Sequence, residues 1–253
     1  MSPRRLDRIR SFIYKNRMVT LDRICEEFEI SKSTLRRDLS AILAEDGNIR
    51  KIYGGVTVVS QNTLVSFEKR NVEHLEEKKR IAAEAARFVE NGDVIFIDSG
   101  TTAVHLLQAI KEKENITVLT NNIPIIISAI PYANLSVISL SDILDRKTYS
   151  FTGASAVQVL RNYNISKAFL AATGFSVANG VANSSTFEAE IKRMAVERSQ
   201  KIYLLADSSK CGNVALITYC GLEDIDALVT DSPPSQSVCD FMEEEGKQIV
   251  IAR

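Results

Sequence analysis

No apolar run in this 253-residue sequence approaches the roughly 18 to 20 residues that a membrane-spanning helix needs. The opening residues, Met1-Ser2-Pro3-Arg4-Arg5-Leu6-Asp7, lack the apolar centre of a signal peptide, so the expected location is the cytoplasm. Cysteine is scarce: Cys25, Cys211, Cys220 and Cys239 are scattered and form no Cys-x-x-Cys pair. That argues against a zinc site or a disulfide framework and for buried or idle thiols in a reducing compartment. The two histidines, His74 and His105, fall inside helical patterns without metal-ligand spacing, and no metal is expected. There is no P-loop, no dinucleotide fingerprint and no Gly-x-Ser-x-Gly elbow, so no cofactor is expected either. Low-complexity tracts and clear internal repeats are also missing.

What remains is 45% apolar and 25% charged, enough for one large or two ordinary globular domains. The net charge of −1 conceals an asymmetry. Residues 1–55 carry 12 Lys+Arg against 8 Asp+Glu, while the remainder carries 19 against 24. A basic end on an acidic body points to a polyanion as partner of the N-terminal piece alone.

Within that piece, Leu6, Ile9 and Ile13 make one helical stripe from about Pro3 to Asn16, with Phe12 beside it. Met18-Val19-Thr20 reads as extended, and Leu21, Ile24, Cys25 and Phe28 return to helical spacing. Ser31 then caps a further helix with apolar residues at Leu35, Leu39 and Ile42. This spacing leaves Lys32, Ser33, Thr34, Arg36 and Arg37 on or near the exposed face, and these are side chains that reach phosphates and base edges from a major groove. Two short helices, the second basic, form a helix-turn-helix layout, although no Gly stands in the turn. Asp46-Gly47-Asn48 reads as a turn, and two strand-like segments flank Gly54-Gly55, a dipeptide suited to a tight hairpin. Such a wing would bring Arg50 and Lys51 to the phosphate backbone. A small helical module that docks protein is the plainer alternative.

Val19-Thr20-Leu21, Ile30-Ser31, Thr34-Leu35-Arg36-Arg37-Asp38-Leu39 and Gly54-Gly55 together resemble the winged helix-turn-helix of the DeoR family of bacterial transcription regulators, over about residues 4–58. Tyr53 stands where that family often has His. The DNA-contacting set is therefore expected to be Ser31, Lys32, Ser33, Thr34, Arg36, Arg37, Arg50 and Lys51.

After a polar break at Ser60-Gln61-Asn62-Thr63, a long helix is predicted from Glu73 to Val89. Apolar strands then alternate with helical patterns, starting at Val94–Asp98 and ending at Gln248–Ile251, which argues for an α/β layer fold with a largely parallel sheet. Ligands in such sheets bind beyond the carboxyl ends of strands. Asp98-Ser99-Gly100-Thr101-Thr102 lies there: Gly100 permits a tight backbone, and hydroxyls with a helix start make an anion cradle. Asp98 would repel a phosphate, so it is expected to bond a sugar hydroxyl or brace the loop. Thr120-Asn121-Asn122 suits polyol recognition, and Asp207-Ser208-Ser209-Lys210 brings a lysine that can pair with phosphate. A capped turn without ligand is the plain reading of the first of these.

These stretches, with Ser150-Phe151-x-Gly153, Gly174, Glu188-Ala189-Glu190-Ile191-Lys192-Arg193 and Thr230-Asp231, resemble the C-terminal sensor domain of the same family over about residues 68–231. The resemblance implies a ribose-phosphate isomerase/CoA-transferase fold and a phosphorylated sugar or related metabolite as effector. It implies ligand contacts at Asp98, Ser99, Gly100, Thr101, Thr102, Thr120, Asn121, Gly153, Glu190 and Lys210. The chain departs from the family at Ser141-Asp142, where Gly-Gly is usual; added bulk and negative charge there imply an effector that is less anionic, more basic or differently shaped at that end.

The expected organisation is thus a DNA-binding domain at 1–58, a linker at 59–72 and a metabolite-sensing, oligomerising domain at 73–253. The expected function is repression of a carbohydrate operon, with operator DNA and a small-molecule effector as partners, a homodimer or homotetramer as the assembly, and no membrane. A sugar-phosphate isomerase on the same fold is the alternative from another class, but Ala171-Ala172-Thr173-Gly174-Phe175-Ser176 offers no carboxylate for a general base. The protein is expected not to be an enzyme.

Overall fold

The computed structural model describes residues 3–16, 18–45, 49–52, 54–58 and 65–253. The turn at Asp46-Gly47-Asn48, Tyr53 and the break at Ser60-Gln61-Asn62-Thr63 lie outside these residues, as does the side chain of Arg50. The chain divides into two compact units, residues 1–62 and 63–253.

In the first unit, α1 (Pro3–Asn16), β1 (Met18–Thr20), α2 (Leu21–Phe28), α3 (Lys32–Glu45), β2 (Ile49–Ile52) and β3 (Gly55–Val58) follow in order. The predicted stripes converge on one core in which Ile9, Ile13, Ile24, Leu35, Leu39, Ile42 and Val56 are buried. Helices this short are marginal alone, so burial of these faces is what holds them. The α2–α3 turn manages without glycine because Glu29 takes φ 49°, and Ile30 N–H then bonds Cys25 O at 3.1 Å. That left-handed backbone costs a non-glycine residue about 1 to 2 kcal/mol.

The sheet order is β1-β3-β2, with Ile52 opposite Gly55. The two glycines have different duties. Gly54 supplies φ +76°, whereas a Cβ on Gly55 would sit 2.5 Å from Val19 O, because β1 crosses there.

The second unit begins with α4 (Phe67–Val72) and α5 (Leu75–Ala85), followed by β4 (Val94–Ile97), α6 (Val104–Ala109), β5 (Ile116–Thr120), α7 (Ile123–Ala129) and β6 (Leu135–Ser139). A hairpin of β7 (Ile143–Asp145) and β8 (Ser150–Thr152) leads to α8 (Ala154–Arg161) and β9 (Ile165–Ala171). Then come β10 (Gly174–Ser176), β11 (Gly180–Asn183), α9 (Thr186–Arg198), β12 (Ser199–Leu205), β13 (Ile217–Cys220), β14 (Ala227–Thr230), α10 (Gln236–Glu244) and β15 (Gln248–Ile251). The predicted helix from Glu73 to Val89 is not continuous. His74 adopts φ 52°, which breaks the chain before α5, and the last turn tightens to a 3-10 helix at Ala86–Phe88. Residues 67–72, expected as part of a linker, form α4 within the second unit, with Phe67 buried and its N–H bonded to Lys147 O at 2.7 Å.

The apolar strands expected from Val94–Asp98 through to Gln248–Ile251 join one parallel seven-stranded sheet, ordered β15-β14-β12-β9-β4-β5-β6. Strands buried on both faces read as apolar runs, which is why they were legible. One face packs α5, α6 and α7 through Ile81, Leu106 and Ile125; the other packs α8, α9 and α10 through Leu160, Ile191 and Met242. The chain runs outward from β4 through β5 to β6 and then restarts on the other side of β4 with β9. The order therefore reverses between β4 and β9, and the crevice beyond their carboxyl ends is where this architecture binds ligands. A small antiparallel sheet, β10-β11-β13, and the β7–β8 hairpin stand beside it.

Candidate functional site

On the first unit, Ser31 caps α3: its Oγ accepts from Thr34 N–H at 3.2 Å and lies 2.9 Å from the Ser33 and Thr34 hydroxyls. Arg36 and Arg37 are exposed, while the next residue, Asp38, is buried. Its two oxygens accept from Arg5 Nε at 2.8 Å and Nη2 at 3.0 Å, a bidentate pair that locks α1 to α3. The Arg-Arg-Asp run thus presents two cations outward and one anchor inward. Lys32 is not free: its ammonium lies 2.5 Å from Asp22 on α2, and that carboxylate holds its pKa above the ordinary lysine value. Lys51 is exposed on the wing.

On the second unit, the β4–β9 crevice gathers a buried polar cluster. Asp98 directly follows β4 and reaches back across the switch point, its Oδ2 accepting from Ala171 N–H at 2.9 Å and from the Lys192 ammonium. Lys192 also donates to Ala171 O at 2.9 Å. The backbone must come close here, since a Cβ on Gly100 would lie 2.1 Å from that of Ala171. Glu188, one turn before Lys192 on α9, accepts from Ser99 Oγ at 2.7 Å, Asn183 Nδ2 at 3.0 Å and Ser150 Oγ at 3.3 Å. Arg70, from α4, lines the same crevice. Burial lowers its pKa, against the pull of Glu188 and Asp98. The arrangement offers carboxylate, amide, hydroxyl and guanidinium groups, the set that recognises an acidic polyol.

A second polar group follows β12. Asp207 is 1% exposed; its Oδ1 accepts from Ser209 N–H, and its Oδ2 is buried without a hydrogen-bond partner, 3.8 Å from the Lys210 ammonium. Lys78 on α5 is also buried and donates to Arg70 O and, at 2.6 Å, to Glu73 O. Burial lowers its pKa, Asp207 raises it, and Lys210 lowers it further.

Comparison with known proteins agrees with this two-part layout. Residues 5–62 match the model for the DeoR-like helix-turn-helix domain and residues 73–232 that for the DeoR C-terminal sensor domain. The chain is 39% identical to the HTH-type transcriptional regulator IolR of Bacillus subtilis, over 98% of both chains. The chain belongs to the DeoR family. The HTH-type transcriptional repressor GlcR of Bacillus subtilis is 27% identical over 98% of this chain and 95% of its own length. The lactose phosphotransferase system repressor of Staphylococcus epidermidis is 34% identical over 90% and 91%. Among solved structures, ribose 5-phosphate isomerase from Plasmodium falciparum matches 53% of this chain and 51% of its own, at 13% identity and a TM-score of 0.38. This DeoR-family chain is a DNA-binding transcriptional regulator with a sensor domain.

Not every residue expected at the sensor site lies in the crevice. Ser99 and Gly100 line it, and Asp98 braces it from beneath. Thr101 and Thr102 are buried in the turn before α6. Thr120 serves the backbone: its Oγ1 donates to Ile97 O and accepts from Asn122 N–H. Asn121 donates to Phe151 O, leaving its buried Oδ1 without a partner, and Asn122 caps α7 through Ile125 N–H. Gly153 has φ +135° and lies against Asp142, whose Oδ2 accepts from Ser155 N–H at 2.8 Å in the first turn of α8. Glu190 is exposed; the glutamate in the crevice is Glu188. Residues i and i+4 share a helix face and i+2 lies opposite, so the spacing of Glu188 and Lys192 carried that signal. Arg70, Asn183 and Lys78 are further polar groups that sequence reasoning missed, for they come from segments with no motif of their own.

Proposed function

We propose that the protein is a cytoplasmic repressor of a carbohydrate-use operon whose operator affinity is set by a phosphorylated sugar or related metabolite in the β4–β9 crevice. The observation that carries this reading is the pairing, on one chain, of the outward Arg36–Arg37 helix with a switch-point crevice lined by Ser99, Asn183, Glu188 and Arg70. In this account Ser31, Lys32, Ser33, Thr34, Arg36 and Arg37 meet the major groove while Arg50 and Lys51 meet phosphates. Lys32 exchanges Asp22 for DNA. Ser99, Gly100, Asn183 and Glu188 hold effector hydroxyls, and Lys210 with Lys78 supplies positive charge at the far end.

The carboxylate of Asp142 supports an effector that carries no acidic group at the start of α8, because an internal anion already accepts from that turn. Homodimers or homotetramers fit the need for paired half-sites, and exposed Ile130, Ile143 and Phe187 offer apolar surface for assembly. One feature favours the isomerase alternative: the fold brings Asp98 and Glu188 beside the Ala171–Thr173 stretch that lacks acids of its own. Asp98, however, is bonded to Lys192, and Glu188 accepts three hydrogen bonds, which leaves neither as a free general base.

The test is a gel shift on DNA upstream of the protein's own gene and its neighbours, repeated with sugar phosphates and aldonic acids. Specific retardation that a metabolite relieves is expected. Equal retention of scrambled DNA, or turnover of a sugar phosphate, would replace this reading.

A further inference from the structure

The β7–β8 hairpin leaves an edge and an apolar surface open. Among the described residues β7 pairs with β8 alone, so its other edge has no strand beside it. Side chains alternate between the two faces of a strand, yet Ile143 and Leu144 are 69% and 43% exposed. Both faces of β7 are therefore open as well as its edge. Phe187, the second residue of α9, is 61% exposed. With Thr152 and Gly153 these side chains wall a cavity of about 350 Å³.

An uncovered edge is a template for another strand, and proteins guard such edges with like charges, proline or a bulge. β7 carries no proline, and its pairing with β8 runs without a register shift. Its charges are of both signs: Asp142 and Asp145, then Arg146 and Lys147. A second copy of β7, antiparallel about a two-fold axis, matches that pattern in one register. Opposite residues in antiparallel strands point to the same face, while neighbours along a strand point to opposite faces. The axis must then pass through a residue and never between two. At Asp145 it would set that carboxylate against its own copy, and like charges directly opposite destabilise. At Ile143 it would set Asp142 against Leu144 and Asp145 against Ser141, and no cation would meet an anion. At Leu144, leucine faces leucine and Asp142 faces the partner's Arg146, twice over. Asp142 gives one oxygen to Ser155 N–H, and a carboxylate with about four acceptor sites keeps capacity for a guanidinium. Ile143 then faces the partner's Asp145, whose carboxylate is turned to Lys147 N–H of its own chain at 2.8 Å.

We infer that β7 is the seam of a homodimer: two copies of the second unit join β7 to β7 around Leu144. The product is a four-stranded sheet, β8-β7-β7-β8, that covers Ile143, Leu144 and Phe187 of both copies. The contact is isologous, so each contribution occurs twice and the assembly closes at two copies rather than growing. The inference rests on the protein assembling with itself, the part of the proposed function that it deepens, and needs neither effector nor operator.

Sedimentation velocity of the full-length chain reads the mass of the wild type, Leu144→Lys and Ile130→Lys, with circular dichroism as the check on folding. Leu144→Lys sets two ammonium groups against each other on the axis and should raise the dissociation constant by about tenfold or more. Ile130→Lys, just beyond α7, should leave it unchanged. Disulfide trapping reads the register. Opposite Cα atoms in an antiparallel pair lie about 4.5 to 5.5 Å apart, within the range a disulfide spans. Mild oxidation should therefore link Leu144→Cys into a covalent dimer beyond any formed by the wild type, whereas Ile143→Cys, two residues out of register with its own copy, should not link. A monomeric wild type, a Leu144→Lys variant that assembles as tightly as the wild type, or linking of Ile143→Cys in place of Leu144→Cys would overturn the seam. Loss of assembly in Ile130→Lys alone would give the interface to the α7 face instead. Each of these removes the seam without touching the reading of the crevice and the DNA-binding helix, whose failure shows in the gel shifts.

Discussion

The Lys192 ammonium is bonded to the Asp98 carboxylate across the point where strand order reverses, with side chains only 3% and 1% exposed. Two charges taken out of water repay their desolvation only when each is fully satisfied. Here Ala171 completes both, giving its N–H to Asp98 and its carbonyl to Lys192. Lys192→Met should therefore destabilise the second unit by roughly 3 to 5 kcal/mol, because it strands a buried carboxylate. Adding Asp98→Asn should restore part of the loss. Urea unfolding followed by circular dichroism measures both, and a single variant as stable as wild type would remove the pair from the account.

Asp38 and its neighbours separate fold from address. Asp38→Ala should lower the melting temperature of the DNA-binding unit and weaken all DNA alike, since it frees α1 from α3. Arg36→Ala or Arg37→Ala should leave melting unchanged and cost about 1 to 3 kcal/mol on operator where a base is contacted. Lys51→Ala should reduce the salt slope by about one on any sequence. Equal losses on operator and random DNA for all the cations would contradict this division.

Asp22 acts in the opposite sense. It occupies Lys32 in the free protein, so Asp22→Ala should tighten non-specific DNA binding at low salt by a factor of about two to five, a modest surface effect. Anisotropy titrations at two salt concentrations would read it. Weaker binding by the variant would mean that Lys32 needs Asp22 to hold its position.

At the opposite end of the sheet from the crevice, Asp93 accepts from Lys167 at 2.8 Å, Glu90 N–H at 2.8 Å and Ser166 Oγ at 3.0 Å. Burial pushes its carboxyl up, but these donors hold it below the ordinary 3.8. A depressed folded value stabilises above the unfolded pKa and loses that contribution as pH falls through the folded one. Asp93→Asn should cost about 1 kcal/mol at neutral pH, and its gap to wild type should narrow as pH drops below 3.8. Unfolding midpoints from pH 7 down to acid would show the two curves converging; a constant gap would speak against it.

Much of the architecture was legible because the inner strands β4, β5, β9, β12 and β14 are largely buried and read as apolar runs between helical patterns. The short strands β7, β8, β10, β11 and β13 were not, being only three or four residues long; β7–β8 and β10–β11 pair across short connections, and β13 joins β11 from beyond α9 and β12. The Asp98–Thr102 loop was found by its place after a strand. Glu190, implied by the family resemblance, lies on the exposed face of α9, while Glu188, two residues earlier, faces the crevice. Arg70 stayed hidden for a different reason: its importance arises from α4 folding back over a sheet that forms later in the chain.

The most direct measurement is operator affinity of the wild type and of Glu188→Gln, with and without the metabolite that binds the wild type. Glu188 lines the crevice on α9, within the second unit. The account predicts that Glu188→Gln binds operator as the wild type does without metabolite, yet responds only at concentrations about tenfold higher or more. An unchanged metabolite response in that variant would place the effector elsewhere and contradict the central claim.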